Sequence, residues 1–260
     1  MLDSFYISSI GMRAHSTQID TISNNVANLN TTGFRRGVVS FSSLSATNSV
    51  GAAADAAKAT AALGGLRGGG VTTQLGYSML AGALTSTNAP LDVAINGNGF
   101  IEVTRADGSP AYTRAGSLIV NAQGMLATRN GEVLAAKIAV PPDVQSVSIA
   151  PDGHVFAVTS SSAAQVDLGQ IDLVNFANPS GLQAAGGTLY VPGTDSGDPH
   201  AGAPNTDGLG TLQSGYLESS NVDMTTELTT LMLAQRGFEL NSRVVQASDQ
   251  MLQTVNELYR

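Results

Sequence analysis

Cysteine is absent from the 260 residues, so neither a disulfide nor a thiolate metal site can form in this chain. That is compatible with any compartment and suits a protein that stays unfolded during export without cross-linking. Tryptophan is also absent, aromatic residues make up 5% and charged residues 12%. With 29 glycines and abundant alanine, serine and threonine, the composition favours many turns and weakly apolar surfaces over one dense aromatic core. Lysine and arginine total 12 against 20 acidic residues, a net charge of −8. Neutralising phosphates requires clustered basic residues, and only Arg35 and Arg36 adjoin, which argues against a nucleic-acid partner. No run of about 18 apolar residues is present, so no membrane insertion is expected. The opening MLDSFYISSIGMRAH lacks a basic stretch followed by a continuous apolar one, so no cleaved secretory signal is expected.

What is present begins with periodicity at the two ends. From Glu218 to Arg260 there is no proline and one internal glycine, Gly237. Met224, Leu231, Phe238, Val245, Leu252 and Tyr259 fall seven residues apart, and Val244, Met251 and Leu258 thicken the stripe. Such a repeat marks a helix lying along another helix. The spacing predicts a helix over about 222–258, roughly 55 Å long, too long for an ordinary globular element. Asn221 or Ser220 is the expected cap, with Asp223 and Glu227 near the positive end of the dipole. Thr229, Gln235, Asn241, Gln246 and Gln250 suit a polar outer face. At the other end Phe5, Met12, Ile19 and Val26 repeat at seven, with Ile22 and Leu29 in the complementary row, predicting a helix over 2–27. Two narrow stripes at opposite ends of one chain are most economically read as packing on one another and on copies of themselves.

The first helix runs into SNNVANLNTTGFRR, where Asn28, Asn30, Thr31, Thr32 and Gly33 break it. A sharp turn presenting Phe34 and Arg35 is expected there, either as a surface turn with an aromatic anchor or as a docking elbow for a neighbouring subunit. Residues 40–70 are almost all small, the composition of a linker or insertion, with a possible short helix at 52–62. Their glycines lack the Gly-Lys-Ser/Thr ending of a phosphate cradle.

From Val71 to about Gly215 the period becomes two. Short segments rich in Val, Ile and Thr, such as LDVAINGNGFIEVT and VSIAPDGHVFAVT, alternate with NGNG, ADGS, NAQG, RNGE and PDG, which read as hairpin turns. A compact, mainly antiparallel β domain is expected. The turns do not supply the alternating carboxylates of a calcium loop. His15, His154 and His200 lack zinc spacing, and no GxSxG elbow occurs. Paired carboxylates, whose separation is a tertiary quantity, stay open, and with them a β-domain carbohydrate-active enzyme.

The motif SNNVANLNTTGFRR resembles the signature of bacterial flagellar hook and basal-body rod proteins. LDVAINGNGFIEV, AYTRAGSL and NAQGML in the middle resemble the same family. So do GQIDLVNFANPSGLQAAGGTLY, GLGTLQSGYLESSNVD and LAQRGFELNSRVVQASDQML in the C-terminal half, in the family's order. The length is that of members building the distal part of the rod, with neighbouring rod members as the alternative. Residues 40–70 correspond to an extension that stiffens the rod, here mostly Ala, Gly and Ser. Gly237 stands where the family carries a larger helix former, at a cost of up to about 1 kcal/mol.

The resemblance implies an α+β fold. Long N- and C-terminal helices, 1–36 and 216–260, would pair as a coiled coil in an inner tube; 37–70 would be an extension and 71–215 an outer β domain. It implies a structural rather than catalytic protein, without cofactor, in the basal body. It would polymerise helically with itself and meet other rod subunits, hook or hook-adaptor proteins, the surrounding ring proteins and the flagellar export apparatus. The predicted subunit-interface residues are Phe5, Met12, Ile19, Ile22, Val26, Phe34, Arg35, Met224, Leu231, Phe238, Val245, Leu252 and Tyr259.

Overall fold

The computed structural model describes residues 2–44, 70–159 and 162–258. The possible helix at 52–62, most of the extension and Tyr259 lie outside them. The chain divides into two compact units, one of Met1–Val26, Gly37–Gly76 and Asp223–Arg260, the other of Ala27–Arg36 and Tyr77–Val222.

In the first unit, α1 spans Leu2–Ala27 and α2 spans Met224–Leu258. Both stretches lack proline, which lets them run uninterrupted. The cap of α2 differs from expectation. Asp223 Oδ1 accepts from the Thr226 amide at 2.7 Å, so Asp223 supplies both the cap and the negative charge at the helix start. Asn221 is committed elsewhere: its Oδ1 accepts from the Arg36 amide and its Nδ2 donates to the carbonyls of Ser78 and Leu80. Strands β1 (Gly37–Leu44) and β2 (Gly70–Tyr77) pair, the first in the stretch expected as a linker or extension and the second in the segment expected to open the β domain. Side chains support them, Ser40 Oγ donating to the Gln74 carbonyl and Thr72 Oγ1 to that of Ser42.

The second unit is the antiparallel β body. Its largest sheet has nine strands, centred on β3 (Phe100–Thr104) and β4 (Pro110–Thr113). A three-stranded sheet over Val144–Gln170 and two strand pairs, 93–96 with 211–214 and 84–86 with 216–218, complete it. Alternation on β3 separates two cores. Ile101 and Val103 enter an aliphatic cluster with Ile95, Leu126, Leu134 and Leu173. Phe100 joins Tyr112, Val174, Phe176, Leu182 and Tyr190, whose rings meet edge to face at 4.9–6.2 Å. Four of the chain's 13 aromatic residues are gathered in this cluster.

Four of the five predicted hairpin turns close as expected; in each, the glycine amide of 108, 124, 131 or 153 bonds the carbonyl three residues back. NGNG does not form a hairpin. It carries the chain from the 93–96 strand, paired with 211–214, into the nine-stranded sheet, and the Gly210 amide bonds the Asn98 carbonyl at 2.7 Å. Residues 27–36 and 216–222 cluster with the β body, where the sequence reading had grouped them with the helices.

Candidate functional site

Two features carry the expected function: the helix surfaces of the first unit and the elbow in the second. Within the first unit the helices touch in antiparallel order. A Cβ on Gly11 would lie 2.8 Å from the Asn241 side chain, one on Gly237 would lie 2.6 Å from the His15 ring, and Asn25 Nδ2 donates to Glu227 Oε2 at 3.1 Å. As the α1 numbers rise, the α2 numbers fall. The buried positions are small or polar: Ser8, Ala14 and Asn25 with Ile22 on α1, and Glu227, Ala234 and Ser248 on α2. Asn25 also exchanges two hydrogen bonds with the Gly37 backbone, at 2.8 and 2.9 Å. Asn241, expected on the outer face, is half-buried against Gly11. The cost of Gly237 in the helix is matched by this close approach, since any side chain there meets the imidazole.

The predicted stripe divides accordingly. Ile22 is buried; Met12, Ile19, Val26, Leu231 and Val245 are half-buried; Phe5, Met224, Phe238 and Leu252 are exposed. The most exposed apolar side chains of α2 are ones the stripe omitted, Leu233 at 64% and Leu240 at 62%. Around the helix, Leu233, Leu240, Val244 and Met251 form a row roughly 100° from the Ala234 line that faces α1. Met224, Leu228 and Met232, all exposed, occupy the other flank, roughly 80–160° away in the opposite sense. The heptad reading held Val244, Met251 and Met224 of these rows and left out Leu233, Leu240, Leu228 and Met232, which stand at mixed spacings of seven and four.

The elbow turns inward. The Thr31 amide bonds the Asn28 carbonyl, and the Thr31 hydroxyl bonds the Asn28 side chain. Gly33 takes φ +71°, and a Cβ there would lie 2.5 Å from the Ala115 backbone nitrogen, so only glycine fits. Its amide bonds the Glu218 carbonyl at 2.8 Å. Phe34 and Arg35 are consequently buried inside the β body, Arg35 completely, and serve as internal anchors of their own chain.

Sequence reasoning missed what Arg35 meets. Its Nη2 lies 2.7 Å from Glu218 Oε1, and Arg114 Nε lies 3.0 Å from Glu218 Oε2, with all three side chains at 5% exposure or less. Glu218 Oε1 also accepts from the Gly82 amide at 2.8 Å. Arg114 Nη2 donates to the carbonyls of Gly97 and Ile95, and its guanidinium stands 5.8 Å over the Phe100 ring. Burial pulls the Arg114 guanidinium below its ordinary value; Glu218 opposes that and Arg35 adds to it. Burial pushes the Tyr190 phenol up to about 12. The available signal was an Arg in AYTRAGSL and a Glu in GYLESS, each a charge within a strand-forming, weakly polar segment. Among the described residues no cluster of three or more His, Cys, Asp or Glu could hold a metal, and no helix is long and apolar enough to cross a membrane.

Comparison with known proteins converges on one family. Residues 5–35 match the flagella basal body rod protein family, 94–157 the flagellar hook protein FlgE/F/G D1 domain, and 213–258 the flagellar basal body rod FlgEFG protein C-terminal family. The chain is 38% identical over 274 residues to the flagellar basal-body rod protein FlgG of Bacillus subtilis, covering 100% of both chains. To FlgG of Buchnera aphidicola from Acyrthosiphon pisum it is 37% identical, covering 99% of this chain and 100% of the relative. The flagellar hook protein FlgE of Helicobacter pylori is 42% identical over 116 residues, 45% of this chain and 16% of that one. A likeness that spans the chain from end to end and joins both terminal helices to the β body shows that this chain belongs to the flagellar basal-body rod proteins, together with the FlgG proteins.

Proposed function

We infer that the chain is a structural subunit of the distal rod that polymerises helically into a hollow shaft, transmitting torque towards the hook and conducting export substrates through its bore. The observation that carries this is the pair of exposed apolar rows on α2. Their burial in water-free contacts is favourable by about 25 cal/mol per Å². One row would suit a closed dimer, whereas two rows on opposite flanks of a helix already seated on α1 need two different neighbours. A contact of that kind is head to tail, and in this reading its rotation does not close, so that it builds a helical filament. In this reading α1 and α2 form the coiled-coil inner tube and the β body the outer layer. Phe5, Met224, Phe238 and Leu252 join the lateral contacts, while Met12, Ile19, Val26, Leu231 and Val245 straddle them. Other rod subunits, hook or hook-adaptor proteins, ring proteins and the export apparatus are the partners such a shaft requires, and its place is the basal body.

The test is sedimentation of the purified chain at rising concentration, with electron microscopy of the product. Polymer is expected from the wild type. Leu240→Asp should abolish it while changing monomer stability by no more than about 0.5 kcal/mol, because Leu240 is exposed in the single chain. Normal polymerisation of Leu240→Asp would remove this row from the interface.

A further inference from the structure

The Arg35–Glu218–Arg114 cluster carries one positive charge too many. Two guanidinia share a single carboxylate, and among the described residues no other acid lies at ion-pair distance of either. Arg35 Nε and Nη1 are buried without a hydrogen-bond partner among the described residues. Uncompensated charge in a low-dielectric interior is costly, so the cluster favours any anion that can approach it. Arg35 is completely closed off, which leaves Arg114 as the point of approach.

Arg114 forms part of the wall of a pocket of about 300 Å³ in the β body. Its Nε faces Glu218 and its Nη2 is bonded to backbone carbonyls, while Nη1 has no protein partner among the described residues. Asn98 and Asn175 line the same pocket, and no carboxylate does. Asn175 Oδ1 accepts from the Phe176 amide, which leaves its Nδ2 able to donate. Phe100 and Phe176 form apolar walls. The pocket wall thus combines a guanidinium beside an excess buried charge with two side-chain amides able to donate, and it holds no anionic group. That set matches a carboxylate, which takes charge-assisted bonds from guanidinium in preference to neutral partners.

We propose that this pocket is a carboxylate-binding site, filled by a small carboxylic acid or by an acidic side chain of a second copy of the chain. The site belongs to the β body and does not depend on the helix surfaces. Its failure and that of the filament reading are therefore separable.

The experiment titrates acetate into the full-length chain, below the concentration at which it associates, with chloride at equal ionic strength as control. Backbone and Asn side-chain NMR shifts are the readout. Saturable shifts confined to Asn98, Phe100, Asn175 and Ala177 are expected, with a dissociation constant in the millimolar range. Asn175→Asp places a carboxylate in the pocket without touching the ion cluster, and should weaken acetate binding at least about tenfold while the fold is retained. Arg114→Gln should do the same if it folds. Loss of ¹³C-acetate from the pocket on polymerisation identifies the second copy as the occupant, and retention identifies the small acid. Shifts equal to those with chloride, or acetate binding unchanged in Asn175→Asp, would overturn the proposal.

Discussion

Replacing Glu218 by Gln removes one charge and almost nothing else. Shape is conserved, and the amide oxygen can still accept from Gly82, whose amide lies 2.8 Å from Oε1. What changes is that two guanidinia, 2.7 and 3.0 Å from the carboxylate, lose their only counter-charge among the described residues in a site at 5% exposure or less. Breaking a buried ion pair from one side costs about 3–5 kcal/mol, because the partner stays buried and unpaired. For a unit of this size the urea dependence is about 2 kcal/mol per molar, so the midpoint should fall by about 1.5–2.5 M. Arg35→Met is the informative counterpart. It deletes the guanidinium whose Nε and Nη1 are buried without hydrogen-bond partners, and it leaves a neutral Arg114–Glu218 pair. Its cost should stay below about 2 kcal/mol, since replacing a poorly satisfied buried ion by an apolar side chain of similar length is nearly neutral. Urea unfolding followed by far-ultraviolet circular dichroism reads both variants. Equal losses for the two, or a loss under about 1 kcal/mol for Glu218→Gln, would refute the description of Glu218 as sole counter-ion to two arginines.

Alkaline stability follows from Tyr190. Its folded value of about 12 stands above the ordinary 10.0, so the folded state holds the proton more tightly than the unfolded one. The resulting stability is complete below pH 10 and declines by about 1.4 kcal/mol per unit as pH rises towards 12. Tyr190→Phe should flatten that decline in pH-dependent urea midpoints; an unchanged slope would assign the effect to other groups. At the helix contact, Gly237→Ala gains up to about 1 kcal/mol of helix propensity but sets a methyl 2.6 Å from the His15 ring. The variant should be destabilised in thermal melts, and adding His15→Ala should recover the propensity gain, whereas additive effects would contradict the contact. Filament assembly through apolar rows should weaken on cooling and respond little to added salt, because hydrophobic attraction fades at low temperature and charge plays a minor part. Sedimentation at 5 °C against 30 °C, each at two salt concentrations, checks this; strong salt dependence with no temperature dependence would point to ionic contacts instead.

Local signals carried the elements whose physics is local. The 2–27 helix was legible because its apolar residues repeat and Asn28 to Gly33 stop it. The Asp-Gly and Asn-Gly hairpins were legible because a tight turn needs those residues wherever it occurs. NGNG misled for the complementary reason: the same residues serve when a strand must leave one sheet for another and pass close to the Gly210 backbone. The α2 cap went to Asp223 because Asn221, an equally good cap by type, has three backbone partners in Arg36, Ser78 and Leu80. Arg35 could not be assigned from its neighbours in sequence. Its partner lies 183 positions away in Glu218, and adjacency to Arg36 made it look like surface charge.

The division of labour on α2 explains why the repeat pointed to a partner and left out Leu233 and Leu240. Inside one chain the helix pair is specified by groups that fit at one register only: a glycine opposite an imidazole, a glycine opposite an amide, and an asparagine bonded to a buried glutamate. Such contacts contribute little apolar burial, but a shift by one turn would leave Glu227 and Asn25 buried without each other, which is expensive. Large side chains would add burial at the cost of tolerance to sliding, since leucine packs against leucine in several registers. The chain therefore spends its small and polar residues on register and leaves leucine and methionine on the flanks, where a neighbour can bury them. A subunit built this way can set its own geometry before it meets another, and the apolar rows then act between chains whose helices are already aligned.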